Sequence, residues 1–298
     1  MQPTFSKYLR KLLLHAWKTD AIKVEFDDVR GIPVVDYGIR CGIPIGRKVN
    51  PLFLSLYICK EHHLERVTGP ILVPELKEAT GPKFVGRAID WLRNLQKQGP
   101  KFSFWEYDFP WPAYPKLIPP WKSALTEAFG ALALLELGYE EDAIRHLQAL
   151  SVDLQRGGVS LVKHDTIWFL EYACEDPPLV LNGMLHCLLI IDEFATRLGN
   201  RGFSNAFDLA YRTMKRDLPR FDAGFYTLYD SYGNPADAKY HRLHIELLKL
   251  IEEKRNDPQL RYWIFKWERF MKSYSYFEPI IFAKHLFESH GALFAKSQ

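Results

Sequence analysis

The stretch KYHRLHIELL, from Lys239 to Leu248, sets Tyr240, His241 and His244 almost side by side. Residues three apart share a helix face, so His241 and His244 could clip a metal ion. A catalytic zinc usually takes three protein ligands and a water, and Glu246 is badly spaced to be the third. No HExxH pattern occurs, and neither a metal nor another cofactor is expected. Tyr240 is a candidate acid or base. The alternative is that all three residues pack and hydrogen-bond at the start of an ordinary helix.

Three further constellations carry polar groups in unusual company. WFLEYACEDPPLVLNG joins Glu171 to Tyr172 and leads through Pro177 and Pro178 into a helix carrying Asn182 and Gly183. An amide buried in LVLNGMLHCLLII must find partners or cost roughly 1–3 kcal/mol. In the structural alternative Asn182 bonds a neighbouring loop and Gly183 lets two helices approach closely. GFYTLYDSYG holds Tyr226, Tyr229, Asp230 and Tyr232, which a hairpin surface alone would also explain. FWEYDFPWPAYPKLIPPWKSAL interleaves proline with aromatic rings, Trp121 among them. Such rings can stack on the C–H face of a pyranose or simply pack a loop. No GxxxxGK[ST], strand-borne GxGxxG or GxSxG occurs, so nothing points to nucleotide binding or a nucleophile elbow.

The elements that must position these groups are mostly helical. KFVGRAIDWLRNLQKQ has apolar residues in steps of three and four, at Val85, Ile89, Leu92 and Leu95, before stopping at Gly-Pro. PWKSALTEAFGALALLELG, YEEDAIRHLQALSVDL, FSNAFDLAYRTMKRDL, ADAKYHRLHIELLKLIEEK, PQLRYWIFKWERFMKSY and EPIIFAKHLFESHGAL continue the pattern. Short links between neighbours favour antiparallel pairs. GGVSLVKHDTIWFLEYA and FDAGFYTLYDSYGNP interrupt the pairs as extended segments or hairpins. The expected fold is mainly α: an α/α toroid, complete or incomplete, of helical hairpins, with an irregular bundle as the alternative. Residues 22–57 read as β-hairpin material, although LFLSLYI suits a buried strand or a short helix. FSKYLRKLLLHAW before them fits an amphipathic helix. The expected division is a helical and β-rich region over 1–83 and a toroid over 84–298.

Composition bounds the rest. The chain has 298 residues, 47% of them hydrophobic, which is enough for a large core. No apolar run reaches the roughly 18 residues that cross a bilayer. The N-terminal KYLRKLLLHAW is too short and too charged for a signal-peptide core, and a cytoplasmic location is expected. The net charge of +3 is spread along the chain, far from a nucleic-acid signature. Cys41, Cys59, Cys174 and Cys187 form no CxxC motif, and nothing demands an oxidising compartment.

Taken in order, these motifs resemble the C-terminal domain of D-glucuronyl C5-epimerases, from about Trp105 to Ile251. FWEYDFP…YPKLIPPWKSALTEA is similar to that family's aromatic segment and helix start. GGVSLVKHDTIWFLEYACEDPPLVLNGMLHCL is similar to its G-G-V, W-x-x-E-Y and V-L-N-G succession, and GFYTLYD and KYHRLHIELL to its T-x-Y-D and Y-H-x-x-H-I motifs. GIPIGRKVNPLFLSLYI is similar more loosely to its upstream region. Two departures stand out: Glu127 occupies a position where the family has Gln, and SYGNPADA is shorter than the family's arginine-bearing loop.

The resemblance implies an α/α toroid, an acidic polysaccharide or oligosaccharide as partner, and inversion of C5 in a hexuronate, with a homodimer as candidate assembly. It implies catalytic roles for Glu171, Tyr172 and Tyr240 with Tyr229 close by, and a site shaped by Asn182, His241 and His244. Inverting C5 means removing a proton α to a carboxylate and returning one to the other face. Tyr172 and Tyr240 are the expected opposed pair, with Glu171 as an alternative base. A tyrosine acting as base needs its pKa lowered, which His241 and His244 could provide. Trp121 is a candidate sugar platform, and Lys163 or Arg47 could neutralise the substrate carboxylate. A uronate lyase shares the first half of this chemistry, and a carbohydrate-binding homologue without activity is the third reading.

Overall fold

A computed structural model describes residues 20–271. The expected helices over 5–17 and 278–293 lie outside the described residues. Within them the protein is mainly α, with four small antiparallel sheets.

The chain first lays down β1 (Lys23–Asp27) and β2 (Ile32–Asp36), paired from Lys23↔Asp36 to Asp27↔Ile32. Asp27 closes their turn by accepting the Arg30 amide at 2.9 Å. A two-strand ladder, β3 (Ile39–Arg40) with β4 (Ile43–Pro44), follows. β5 (Arg47–Lys48) then returns to the free edge of β2. LFLSLYI resolves into helix, not strand: α1 spans Pro51–Glu61. Asn50 accepts the Phe53 amide, and Pro51 has its fixed φ in the first turn, a combination that starts helices.

After the one-turn α2 (Glu65–Thr68), α3 (Gly81–Leu95) buries Phe84, Val85, Ala88, Ile89 and Leu92, the stripe its periodicity predicts. A short ladder, β6 (Lys97–Gln98) with β7 (Ser103–Phe104), leads to the aromatic segment. Next come α4 (Ala124–Glu136), α5 (Glu140–Gln148), the hairpin β8 (Ser160–Lys163) with β9 (Thr166–Phe169), then α6 (Leu181–Leu198), α7 (Arg201–Asp217) and α8 (Ala238–Arg255). A helical stretch over 258–271 closes the described chain. α4 pairs with α5 and α6 with α7 across short turns, while α4 also packs on α1 and α6, and α6 on α8. α4 is buried from Ala124 through Leu134, and α6 nearly all round, as helices walled in by others must be.

One hydrophobic core runs from Ile32 to Trp267 and draws on both sides of residue 83. A smaller cluster, including Tyr37, Tyr107, Phe109, Tyr114 and Trp121, packs the aromatic segment against the N-terminal sheet. Two expectations need correction. The helix after Pro177 and Pro178 begins only at Leu181, because residues 179–181 pair instead with 229–231. FDAGFYTLYDSYGNP is a loop tied by isolated bridges, Asp222↔Thr227 and Leu228↔Pro235, and forms no regular hairpin.

Candidate active site

The first turns of α4, α6 and α8 converge on one place, and the segments between helices are stitched across them. The Ala124 amide donates to the Leu170 carbonyl at 2.7 Å, and Ala173 to Lys122 at 3.0 Å, pinning residues 170–173 beside the start of α4. Leu181 donates to the Tyr229 carbonyl and Ser231 to Leu179, pinning 229–231 beside the start of α6. Asp237 caps α8 by accepting the Tyr240 amide at 2.9 Å, so Tyr240 stands in its first turn.

Glu171 is at the centre and 8% exposed. Its Oε1 accepts the Tyr229 hydroxyl at 2.9 Å and its Oε2 the Asn182 amide at 3.3 Å. Tyr172 also interacts with this carboxyl, and Tyr240 packs edge-on against Tyr229 with centroids 5.0 Å apart. Burial, with help from the charge of Asp230, raises Glu171 from an ordinary 4.5 to about 7, against the pull of the Tyr229, Tyr172 and Asn182 hydrogen bonds. The phenols go the same way: burial, then the neighbouring Glu171 charge, holds Tyr172, Tyr229 and Tyr240 well above 10. At neutral pH these hydroxyls are therefore donors and acids, and Glu171 is the group that can both take and give a proton.

A second carboxyl supports the first. Asp230 is fully buried and accepts the Tyr114 hydroxyl at 2.6 Å, the Asn234 side-chain amide at 2.7 Å and two backbone amides. Tyr114 in turn lies 4.6 Å from the Tyr172 ring, centroid to centroid. The loop that carries Asp230 and the aromatic segment are thus tied together beside the Tyr172 ring.

The sequence pattern of the D-glucuronyl C5-epimerase C-terminus family matches residues 98–269, more than half of the chain. The chain belongs to this family. It is 28% identical to an uncharacterized protein of Methanocaldococcus jannaschii over 261 residues, covering 78% of this chain and 81% of that one. It is also 28% identical to the D-glucuronyl C5-epimerase of Caenorhabditis elegans over 177 residues, covering 51% of this chain and 29% of the worm enzyme. The part of the worm enzyme that matches is therefore under a third of its length.

Of the residues that the epimerase motifs single out, Glu171, Tyr172, Asn182, Tyr229 and Tyr240 come together. Trp121 backs the site: its indole N–H donates to Phe109, one face stacks on Tyr107 at 4.0 Å, and its ring lies 5.9 Å from Tyr172. Lys163 lines a neighbouring cleft of about 610 Å³ with Leu161, Cys174, Glu175, Asp176 and others. Arg47 is on β5, 4.0 Å from both Glu25 and Asp27, and belongs to the N-terminal sheet.

The histidines correct an expectation. Both are fully buried, and burial lowers His241 to about 4 and His244 to about 3, so at neutral pH they carry no charge that could lower a tyrosine. Their Nδ1 atoms meet Thr227 Oγ1 at 2.9 and 3.2 Å, and His241 Nε2 donates to the Trp267 carbonyl at 3.1 Å. With that donor fixed, Thr227 donates to His241 and accepts from His244. The pair holds the buried Thr227, two residues ahead of Tyr229, and so anchors the loop that carries Tyr229 and Asp230. Among the described residues no three His, Cys, Asp or Glu side chains group as a metal site, and no helix is long and apolar enough to cross a membrane.

Sequence reasoning missed Tyr114 and Thr227. Tyr114 is visible in sequence only as one more ring in an aromatic segment, 116 positions from the carboxyl that it bonds.

Glu127 explains one departure from the family pattern. It is fully buried, with Oε1 accepting the Trp105 amide at 2.9 Å and Oε2 2.7 Å from His146 Nδ1. Burial raises Glu127 well above its usual range and lowers His146 to about 3, and both shifts favour the uncharged forms. The Glu127 hydroxyl then donates to Nδ1, and His146 Nε2–H donates to Gln96 Oε1 at 3.1 Å. A neutral Glu127 offers one acceptor and one donor, as a glutamine would.

Proposed function

We propose that the chain inverts C5 of a hexuronate residue in an acidic polysaccharide or oligosaccharide, on helix pairs that form an incomplete α/α toroid. The observation that carries this reading is Glu171: a buried carboxyl with a midpoint of about 7, bonded to Tyr229 and set among Tyr172 and Tyr240. Glu171 as carboxylate takes the C5 proton, and the C–H electron pair flows into the substrate carboxylate to give an enediolate. Charge on that enediolate is met by phenol hydroxyls and by the amide ends of α4, α6 and α8, whose partial positive charge favours anions. These donors take the role of the arginine in the family's longer loop.

Tyr240 donates a proton to C5 from the opposite face, which leaves Tyr240 as phenolate and Glu171 protonated. Tyr229, bonded to Glu171 and packed on Tyr240, is the neighbour through which the proton returns. Tyr172 holds the sugar with Trp121 behind it, and Lys163 contacts the chain beyond.

The test is incubation of the purified protein with uronate oligosaccharides in heavy water, following deuterium at C5 and absorbance of a 4,5-unsaturated product. Exchange without unsaturation, lost in Glu171→Gln, is the expected result. Unsaturation would make the protein a lyase, and binding without exchange a carbohydrate-binding homologue. Exchange that survives Glu171→Gln sinks the assignment of the base.

A further inference from the structure

Gly183 stands in the first turn of α6, inside an apolar and buried helix. Its φ is not positive, so backbone freedom is not why glycine is there. In such a helix glycine is about 1 kcal/mol worse than alanine. The space that a side chain would fill explains it: a Cβ at 183 would lie 2.8 Å from Glu171 Oε2, 3.1 Å from its Cβ and 3.6 Å from its Cδ. All three nearest atoms belong to one residue. The glycine makes room for a carboxyl, not for a second helix.

We infer that Gly183 is a positioning residue for Glu171. The inference rests on the epimerase reading for its functional consequence and on geometry alone for the placement. Oε2, the oxygen nearest the vacancy, is also the one that receives the Asn182 amide, while Oε1 receives Tyr229. The missing side chain lets the carboxyl lie against the amide end of α6, where an anion is favoured. A methyl group here displaces Oε2 from Asn182 and from that end. The backbone on either side cannot follow easily, because Leu170 and Ala173 are both pinned to the start of α4. The shift is therefore taken by the carboxyl, and the fold survives.

The experiment compares wild type with Gly183→Ala, reading the Glu171 titration by carboxyl-labelled NMR, assigned by its loss in Glu171→Gln. The expected midpoint moves upward by about half a pH unit or more, since the anion loses donors. C5 exchange falls about tenfold or more while KM stays within about threefold, a split that general destabilisation does not produce. A second comparison covers a variant that folds poorly. Glu171→Ala removes Oε2 and Cδ and leaves only the Cβ contact at 3.1 Å, so adding Gly183→Ala in that background costs clearly less Tm than in wild type, where it costs several degrees. An unchanged midpoint and exchange in Gly183→Ala overturns the inference, as does an equal Tm loss in both backgrounds. A shifted midpoint in a protein that shows no C5 exchange even as wild type sinks the epimerase reading and leaves the placement standing.

Discussion

Replacing Glu171 by glutamine removes a group whose proton affinity the fold has raised, and the consequence for stability has a definite sign. A carboxyl raised from 4.5 to about 7 is held in its neutral form by the folded state. Below pH 4.5 both states carry the proton and the folded protein bears no penalty. Between 4.5 and 7 the unfolded chain releases the proton while the folded one keeps it, so stability falls as pH rises. At about 1.36 kcal/mol per pH unit the loss is roughly 3 kcal/mol, complete above pH 7. Glu171 is 8% exposed, so solvent screening removes little of it. Glutamine has no proton to lose. It keeps an oxygen for the Tyr229 hydroxyl, and its amide can donate to Asn182 Oδ1, which has no protein partner in the wild type, once the Asn182 amide turns over. Glu171→Gln should therefore match wild type near pH 5 and exceed it by roughly 3 kcal/mol at pH 8, or about 6 °C in Tm for a chain of this size. Denaturant titrations read by tryptophan fluorescence at pH 5, 6, 7 and 8 measure the difference, and effects of other groups cancel between the two proteins. A gap that stays constant across this range refutes the argument that burial sets the Glu171 midpoint.

Three further outcomes follow from the same geometry. His146, His186, His241 and His244 are all lowered by burial to between about 3 and 4, so their contribution to stability is present above pH 6.5 and lost as pH falls; wild type should unfold cooperatively in acid, by several kcal/mol between pH 6.5 and 4 in equilibrium titrations. Tyr229→Phe removes a donor from Glu171 Oε1, so the midpoint of C5 exchange against pH should move up by about half to one unit. Glu127→Gln reproduces the donor and acceptor of the neutral acid and should cost less than about 1 kcal/mol in denaturant melts, whereas Glu127→Ala should cost about 2–4.

Much of the scaffold was legible because it is written locally. The stripe at Val85, Ile89 and Leu92, the glycine and proline stops, and the extended run that pairs as β8–β9 all act over a few residues, and the structure follows them. LFLSLYI shows the limit of that reading. Its run of apolar residues suits strand or helix equally, and the Asn50–Pro51 start together with packing on α4 decides for helix. α6 starts later than its prolines suggest for a related reason. Pro177 and Pro178 permit a helix start, yet the backbone groups of 179–181 are taken by the 229–231 loop some fifty residues away.

The candidate site divides along the same line. The residue types and their order, Glu171–Tyr172, Asn182–Gly183, Tyr229 and Tyr240, are properties of the sequence, and they place the chain in its family. What each group does with a proton is not, because proton affinity depends on burial and on partners distant along the chain. Burial makes Glu171 the group poised near neutral pH and makes the tyrosines acids, the reverse of the emphasis that the motifs alone invite. It also turns His241 and His244 from electrostatic tuners into neutral supports for Thr227. The sequence by itself determined which side chains are available and which helices carry them. Only the tertiary structure decided which atoms meet, how dry they are, and hence which of them can accept a proton.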